Sequence, residues 1–295
     1  MRKKYRMTDE IIKVNGKTLH RVEALTDIPL TNVKKGDKGG FIESEENLSQ
    51  EGDCWVSGKA QVFDKAQVSG NALVFGDAQV FGDARVFDNA RVADNAKVFD
   101  NAQVFGDARV ADNAQVFGDA QVFGDAQVFG DAEVSDNAWV SDNAWVAWSA
   151  CICDNAIVSG YARVFDKAKV FGNAHVSGSA QVFGNAQVYD GAKVSWGARI
   201  CDNAIVSGQA QVSGSANVSG FAWVTDNAHV HGDAQVYGNA WVHDNAEVYD
   251  RSRVSGRAEV YNDTKVSGKA RVSGNAVVSG DARVSGSTKM LGKDA

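Results

Sequence analysis

The 295 residues contain a single proline, Pro29. It lies ahead of the long regular stretch that fills most of the chain, so no proline interrupts a continuous strand ladder there. No stretch is long or apolar enough to span a bilayer as a helix. The four cysteines, Cys54, Cys151, Cys153 and Cys201, lack the spacing of a disulfide or zinc framework. Free thiols are the expectation, and with them a reducing, cytoplasmic setting. The basic start, Met1-Arg2-Lys3-Lys4-Tyr5-Arg6, has no apolar segment behind it, so no signal peptide is expected. Positive charge is also short: 30 Lys and Arg face 37 Asp and Glu, a net charge of −7. The deficit is local. Residues 56–146 carry 14 acids against 6 bases, residues 147–290 carry 12 against 13, and residues 1–55 carry 10 of each. A basic nucleic-acid-binding surface is therefore not expected.

What the chain does have is one register. From Val56 to Met290 every sixth residue is aliphatic, and each is Val except Ile152, Ile200 and Met290. Two residues before each stands a small residue, Ala everywhere but at Cys54, Ser252, Thr264 and Thr288. That makes forty units of six residues without an insertion. A helix repeats its buried face every 3.6 residues, so a period of six would wander round it. In a strand, residues two apart share a face, which puts Ala and Val on one side and the residue between them on the other. The pair that follows is Gly-Asp, Gly-Asn or Asp-Asn, which is turn chemistry. Each unit reads as a very short strand and a corner. One unit cannot bury its Val alone; stacked units can, as in solenoids.

Units such as Val80-Phe81-Gly82-Asp83-Ala84-Arg85 resemble the hexapeptide repeat of left-handed parallel β-helices. The resemblance implies a single-stranded, triangular, all-β parallel β-helix with 18 residues per coil, and it alone supplies the handedness. A flatter coil of twelve residues stays open as an alternative. The Arg91-Val92-Ala93 and Arg109-Val110-Ala111 segments, eighteen apart, favour three sides. The near-identical runs from Ile152 and Ile200 lie forty-eight apart, which suits growth in units of six. With rungs about 4.8 Å apart, thirteen coils would make a rod on the order of 60 Å long.

Residues 1–53 lack the repeat and are expected to cap the first coil, because an open solenoid end exposes strand edges and core valines. Glu10–Val14, Asn15-Gly16 and Lys17–Val22 read as a hairpin with a type I′ turn. The segments Lys4-Tyr5-Arg6-Met7-Thr8, Lys38-Gly39-Gly40-Phe41-Ile42 and Asn47–Trp55 are similar to the N-terminal region of YdcK-like hexapeptide-repeat proteins. That resemblance implies a bacterial or phage source and no established reaction. The expected domains are thus a cap at 1–53, the β-helix at 54–290 and a short tail at 291–295.

Eighteen-residue coils place Phe63, Phe81, Phe99 and Phe117 in one column and Phe87, Phe105 and Phe123 in another. Val and Ala already fill the interior, so these rings are expected outside or at corners. Stacked rings can simply pack on each other and stiffen the sheet, but a contiguous exposed apolar strip is unusual on a monomer and often marks an interface. Trp139, Trp145 and Trp148 are expected to cluster with Cys151 and Cys153, where Trp148 takes a corner otherwise held by Gly or Asp. The leading expectation is a non-enzymatic rod, a structural or protein-interaction scaffold that self-associates as a dimer or trimer. The resemblance offers an alternative, since many left-handed β-helix proteins are acyltransferases with sites between subunits. For it the candidates are His229, His231 and Glu247. His229 and Glu247 are eighteen apart, and a His beside a carboxylate gains basicity. Against it, no loop interrupts the repeats to wall off a pocket, and no phosphate-cradling glycine motif appears. No cofactor or metal is expected, because flat strands diverge their side chains and no Cys joins these three residues. A third alternative is an acidic decoy, its corner aspartates imitating a nucleic-acid backbone.

Overall fold

The computed structural model describes residues 3–292. The chain divides into two units, Met1–Trp148 and Ser149–Ala295.

The first unit opens with a hairpin. Strand β1 (Tyr5–Val14) pairs antiparallel with β2 (Lys17–Ala24) across Asn15 and Gly16, at φ 50° and 80°. Both turn residues need positive φ, which Asn and Gly accept at little cost. β2 in turn pairs antiparallel with β3 (Lys38–Ile42). β3 then changes partner type: it pairs in parallel with β5 (Gln61–Val62), after β4 (Trp55–Val56). Leu48 forms a parallel bridge to Val68 of β6 (Gln67–Val68). The coil geometry therefore begins at β3, ahead of the hexapeptide signature. Ile42 stands over Val62 and Leu48 over Val68, both fully buried, and both supply the aliphatic group that Val supplies later. These partners are twenty residues apart rather than eighteen, because Leu48 to Val56 spans eight residues where later units take six.

Within each unit, from β4 onward, neighbouring strands of a sheet pair in parallel at a spacing of eighteen residues. Arg91 faces Arg109, Lys97 faces Gln115 and Gln103 faces Gln121. The strands of the first unit fall into three sheets, two of them all-parallel and headed by β4 and by β6, and a third that runs from the antiparallel β1, β2 and β3 into the parallel β5. Three sheets and an eighteen-residue register exclude the twelve-residue coil. Along each side the backbone bonds run coil to coil, as from Gln79 N to Ala96 O at 2.9 Å and from Phe81 N to Val98 O at 3.0 Å. Ala and Val point inward and are removed from solvent. Burying one valine contributes about 1.5–3 kcal/mol relative to leaving it exposed.

The corners explain the glycines and aspartates. The first corner residue is left-handed, as at Gly82 (φ 71°), where an added Cβ would come within 2.8 Å of the Asp100 backbone nitrogen. Asp replaces Gly at many such positions and uses its carboxylate. Asp64 accepts from the Gly82 N–H at 3.1 Å, Asp88 from Gly106 at 3.2 Å and Asp112 from Gly130 at 3.0 Å. The second corner residue builds a parallel ladder, with Asn101 donating to Asp119 at 2.9 Å and Asn113 to Asp131 at 3.0 Å.

The second unit follows the same rule. Arg163 faces Gln181, His175 faces Lys193 and Trp223 faces Trp241, each pair eighteen apart. Ser252 and Thr264 fill inward slots usually held by Ala, and each hydroxyl is satisfied: Ser252 donates to Tyr249 O at 2.7 Å and Thr264 to Val278 O at 3.4 Å. In the last described coil the inward residues Ala282 and Met290 are partly exposed, and Leu291 is exposed. Residues 293–295 of the expected tail lie outside the described residues. Among the described residues no helix is long and apolar enough to cross a membrane.

Candidate interaction surfaces

The two phenylalanine columns exist, and each arises because the residue after every Val projects outward at one height per coil. Phe63, Phe81, Phe99 and Phe117 stack with centroids 4.9–5.0 Å apart and planes within 4°. Phe87, Phe105 and Phe123 stack at 4.8 and 5.0 Å. Successive rings share the rung spacing of the sheet, so each covers one face of the next, and all but Phe63 are half-buried. One member departs from expectation. Phe63 is 2% exposed, packed against Leu19 and Phe41 of the N-terminal strands, with Ile12 and Val14 beside them. It belongs to the core that joins the hairpin to the first coil and offers no surface. Arg21 lies over Phe41 at 4.6 Å and seals the same patch.

The tryptophans of the first unit do not form the expected single cluster. Trp139 lies in the sheet headed by β6 and meets Phe123 edge-on at 6.2 Å, closing that column. Trp145 lies in the sheet headed by β4 and meets Trp148 edge-on at 5.6 Å. Residues six apart fall on different sides of a triangular coil, which separates Trp139 from Trp145. Trp148 holds its corner at φ 56° and is exposed.

In the second unit His229 and Glu247 are ladder partners, yet the hydrogen bond belongs to another histidine. His231 Nε2 lies 3.2 Å from Glu247 Oε1, and Lys265 Nζ donates to Glu247 Oε2 at 2.6 Å. His229 projects from the strand and is exposed. The Lys265 hydrogen bond holds the Glu247 carboxyl below the usual carboxylate range, with His231 adding to it, and Glu247 raises the Lys265 ammonium. The His231 ring lies flat on Tyr249 at 5.2 Å. Glu247 is thus committed to an ammonium, and the group sits on the open outer face of three parallel strands with the His231 side chain 38% exposed. Such a network orients an imidazole but gives it no shelter from water.

A third histidine, His243, was not among the sequence candidates. Its ring stacks on Trp241 at 4.0 Å, and its Nε2 lies 3.1 Å from Glu259. Trp223 and Trp241 meet edge-on at 6.3 Å, and the Trp241 indole N–H donates to Thr225 at 3.1 Å. Trp196, at 74% the most exposed large hydrophobic residue described, also escaped notice. Its signal was there: like Trp148 it occupies a left-handed corner, at φ 61°. Many corner aspartates accept backbone or amide N–H bonds, which accounts for their recurrence at those turns.

Five segments, residues 66–82, 78–94, 102–118, 198–214 and 270–286, match the family described as the YdcK beta solenoid repeat. They fall in both units and mark this chain as a β-solenoid repeat protein of YdcK type. No curated protein matches the chain.

Proposed function

We propose that this β-solenoid of YdcK type is a non-enzymatic scaffold that self-associates, as a dimer or trimer, through the phenylalanine side of its first unit. One observation carries the reading. Phe81, Phe99 and Phe117, with Phe87, Phe105 and Phe123 one side further on, form two unbroken strips of half-buried rings. The interior is already full of Val and Ala, so the strips add nothing to it, and their outer edges stay in water. A contiguous apolar strip gains by covering itself, and the same strip on a second copy has the same rung spacing. In this reading the chain is a hexapeptide-repeat protein of bacterial or phage type, working in the cytoplasm, where free thiols such as Cys54 and Cys201 persist.

The test is solution mass by light scattering, wild type beside a Phe81→Ser, Phe99→Ser double variant. The wild type is expected as a dimer or trimer and the variant as a monomer with an unchanged strand spectrum. A monomeric wild type would sink the proposal.

A further inference from the structure

Some charged side chains pair with an opposite charge one coil away. Lys265 pairs with Glu247 at 2.6 Å, Lys65 with Asp83 at 3.6 Å and Arg251 with Asp233 at 3.7 Å. One row near the end of the second unit stacks three cations instead. Arg253 faces Arg271, and Arg271 faces Lys289, on three successive coils. Among the described residues none of the three has an ion-pair partner within 4.0 Å. Like charges placed directly opposite on a sheet repel. The row borders a hollow of about 280 Å³, lined also by Tyr237, Ser255 and Ser273, with Leu291 beside them. Every polar side chain there can donate a hydrogen bond, and among the described residues no carboxylate lines it.

We propose that this hollow is a binding site for an extended oxyanion chain of the phosphoanhydride kind, free or carried on a nucleotide. Guanidinium groups bind phosphate oxygens bidentately, ammonium binds them as a point charge, and hydroxyls complete the shell. Three cations on successive rungs span about 10 Å. One isolated oxyanion meets two neighbouring rungs at most, whereas linked phosphoryl groups meet all three. Stacked cations alone do not make such a site. Arg91 and Arg109 also face each other, but the residues after their valines are Ala93 and Ala111, which bring no hydroxyl. This site is independent of the phenylalanine strips.

The experiment is calorimetric titration of the full chain with sodium tripolyphosphate at low ionic strength in EDTA, repeated with ATP. Wild type is expected to bind one tripolyphosphate per chain. An Arg253→Gln, Arg271→Gln variant is expected to bind at least tenfold more weakly. An Arg91→Gln, Arg109→Gln variant, with the same loss of charge, is expected to bind as wild type does. Arg271→Lys keeps the charge and loses the fork, and should fall between. ATP binding equal to tripolyphosphate assigns the site to the phosphate chain alone, and tighter binding assigns it to a nucleotide; either supports the site. Absence of binding to wild type overturns the proposal, and so does equal weakening in both double variants. A fall in solution mass of the Arg253, Arg271 variant without any tripolyphosphate binding by wild type would make the row a protein contact instead.

Discussion

Asp112 sits left-handed at φ 60° and accepts the backbone N–H of Gly130, eighteen residues on, at 3.0 Å. The same residue thus turns its own corner and ties down the corner of the next coil. Asp112→Ala should cost about 1 kcal/mol for a left-handed Cβ residue and about 1 kcal/mol more for the lost bond, near ~2 kcal/mol in all. Asp112→Gly escapes the strain and loses only the bond, so about 1 kcal/mol. Asp112→Asn keeps both features and should stay within about 0.5 kcal/mol of wild type. Urea unfolding of the three variants gives the order, and an Ala variant no worse than the Gly variant would refute the left-handed account.

The phenylalanine ladder makes a positional prediction. Phe99 stacks on both Phe81 and Phe117, whereas Phe117 ends the column above Ser135. A stacked aromatic pair adds about 0.5–1.5 kcal/mol beyond burial. Phe99→Ala should therefore destabilise by about 1 kcal/mol more than Phe117→Ala, measured at a concentration where both variants are monomeric. Equal losses would mean that the stacks contribute burial only.

Two groups contribute to the acid side of stability in separate windows. Burial depresses His175, helped by Lys193, so the unfolded chain takes up that proton more readily than the folded one. Its contribution is whole above the ordinary histidine value of 6.5 and is lost as the pH falls through the depressed value. Glu247 is depressed by Lys265, so its contribution is whole above 4.5 and is lost on further acidification. His175→Gln should flatten the first loss and Glu247→Gln the second. Urea midpoints measured from pH 8 to pH 3 separate the two, and a profile unchanged in both variants would remove these residues from the acid response.

Period six, the small residue two places before each Val and the Gly or Asp corners were all legible, because each reports a contact one coil away that recurs at every coil. The eighteen-residue register then followed from strand pairing that the repeat dictates. What escaped belongs to contacts made once. Ile42 and Leu48 act as valines of a first coil, but eight residues rather than six separate Leu48 from Val56, so the period hides them. Phe63 was placed outside by its register and is covered by Leu19 and Phe41, brought there by antiparallel pairing outside the repeat. His229 had the right spacing to Glu247, yet the longer reach from the corner-side position gave the bond to His231. Spacing fixes which backbones are neighbours, and rotamers decide which side chains meet.

Lys4 is the clearest case of a single contact with a large consequence. Its side chain is buried, and Nζ donates to the carbonyls of Cys54 at 3.0 Å, Gly52 at 3.1 Å and Glu51 at 3.4 Å. It also lies 3.2 Å from Cys54 Sγ. Those carbonyls belong to the eight-residue passage between Leu48 and Val56, which has no repeat to stabilise it. Lys4→Met keeps an apolar stem and removes the donor, leaving buried carbonyls unpaired at a cost of about 1–3 kcal/mol. In a solenoid that loss stays local, so the N-terminal coil should open before the rest unfolds. Cys54 reports it directly: burial pushes its thiol up, against the pull of Lys4, and it is closed to solvent. Alkylation at pH 8 should be slow in wild type and at least fivefold faster in Lys4→Met, while Cys201 labels at the same rate in both, about 1 kcal/mol of local opening for a fivefold change. Removing the ammonium alone would raise the thiol further and slow the reaction, so faster labelling has one source, the opening of the coil that Lys4 holds shut.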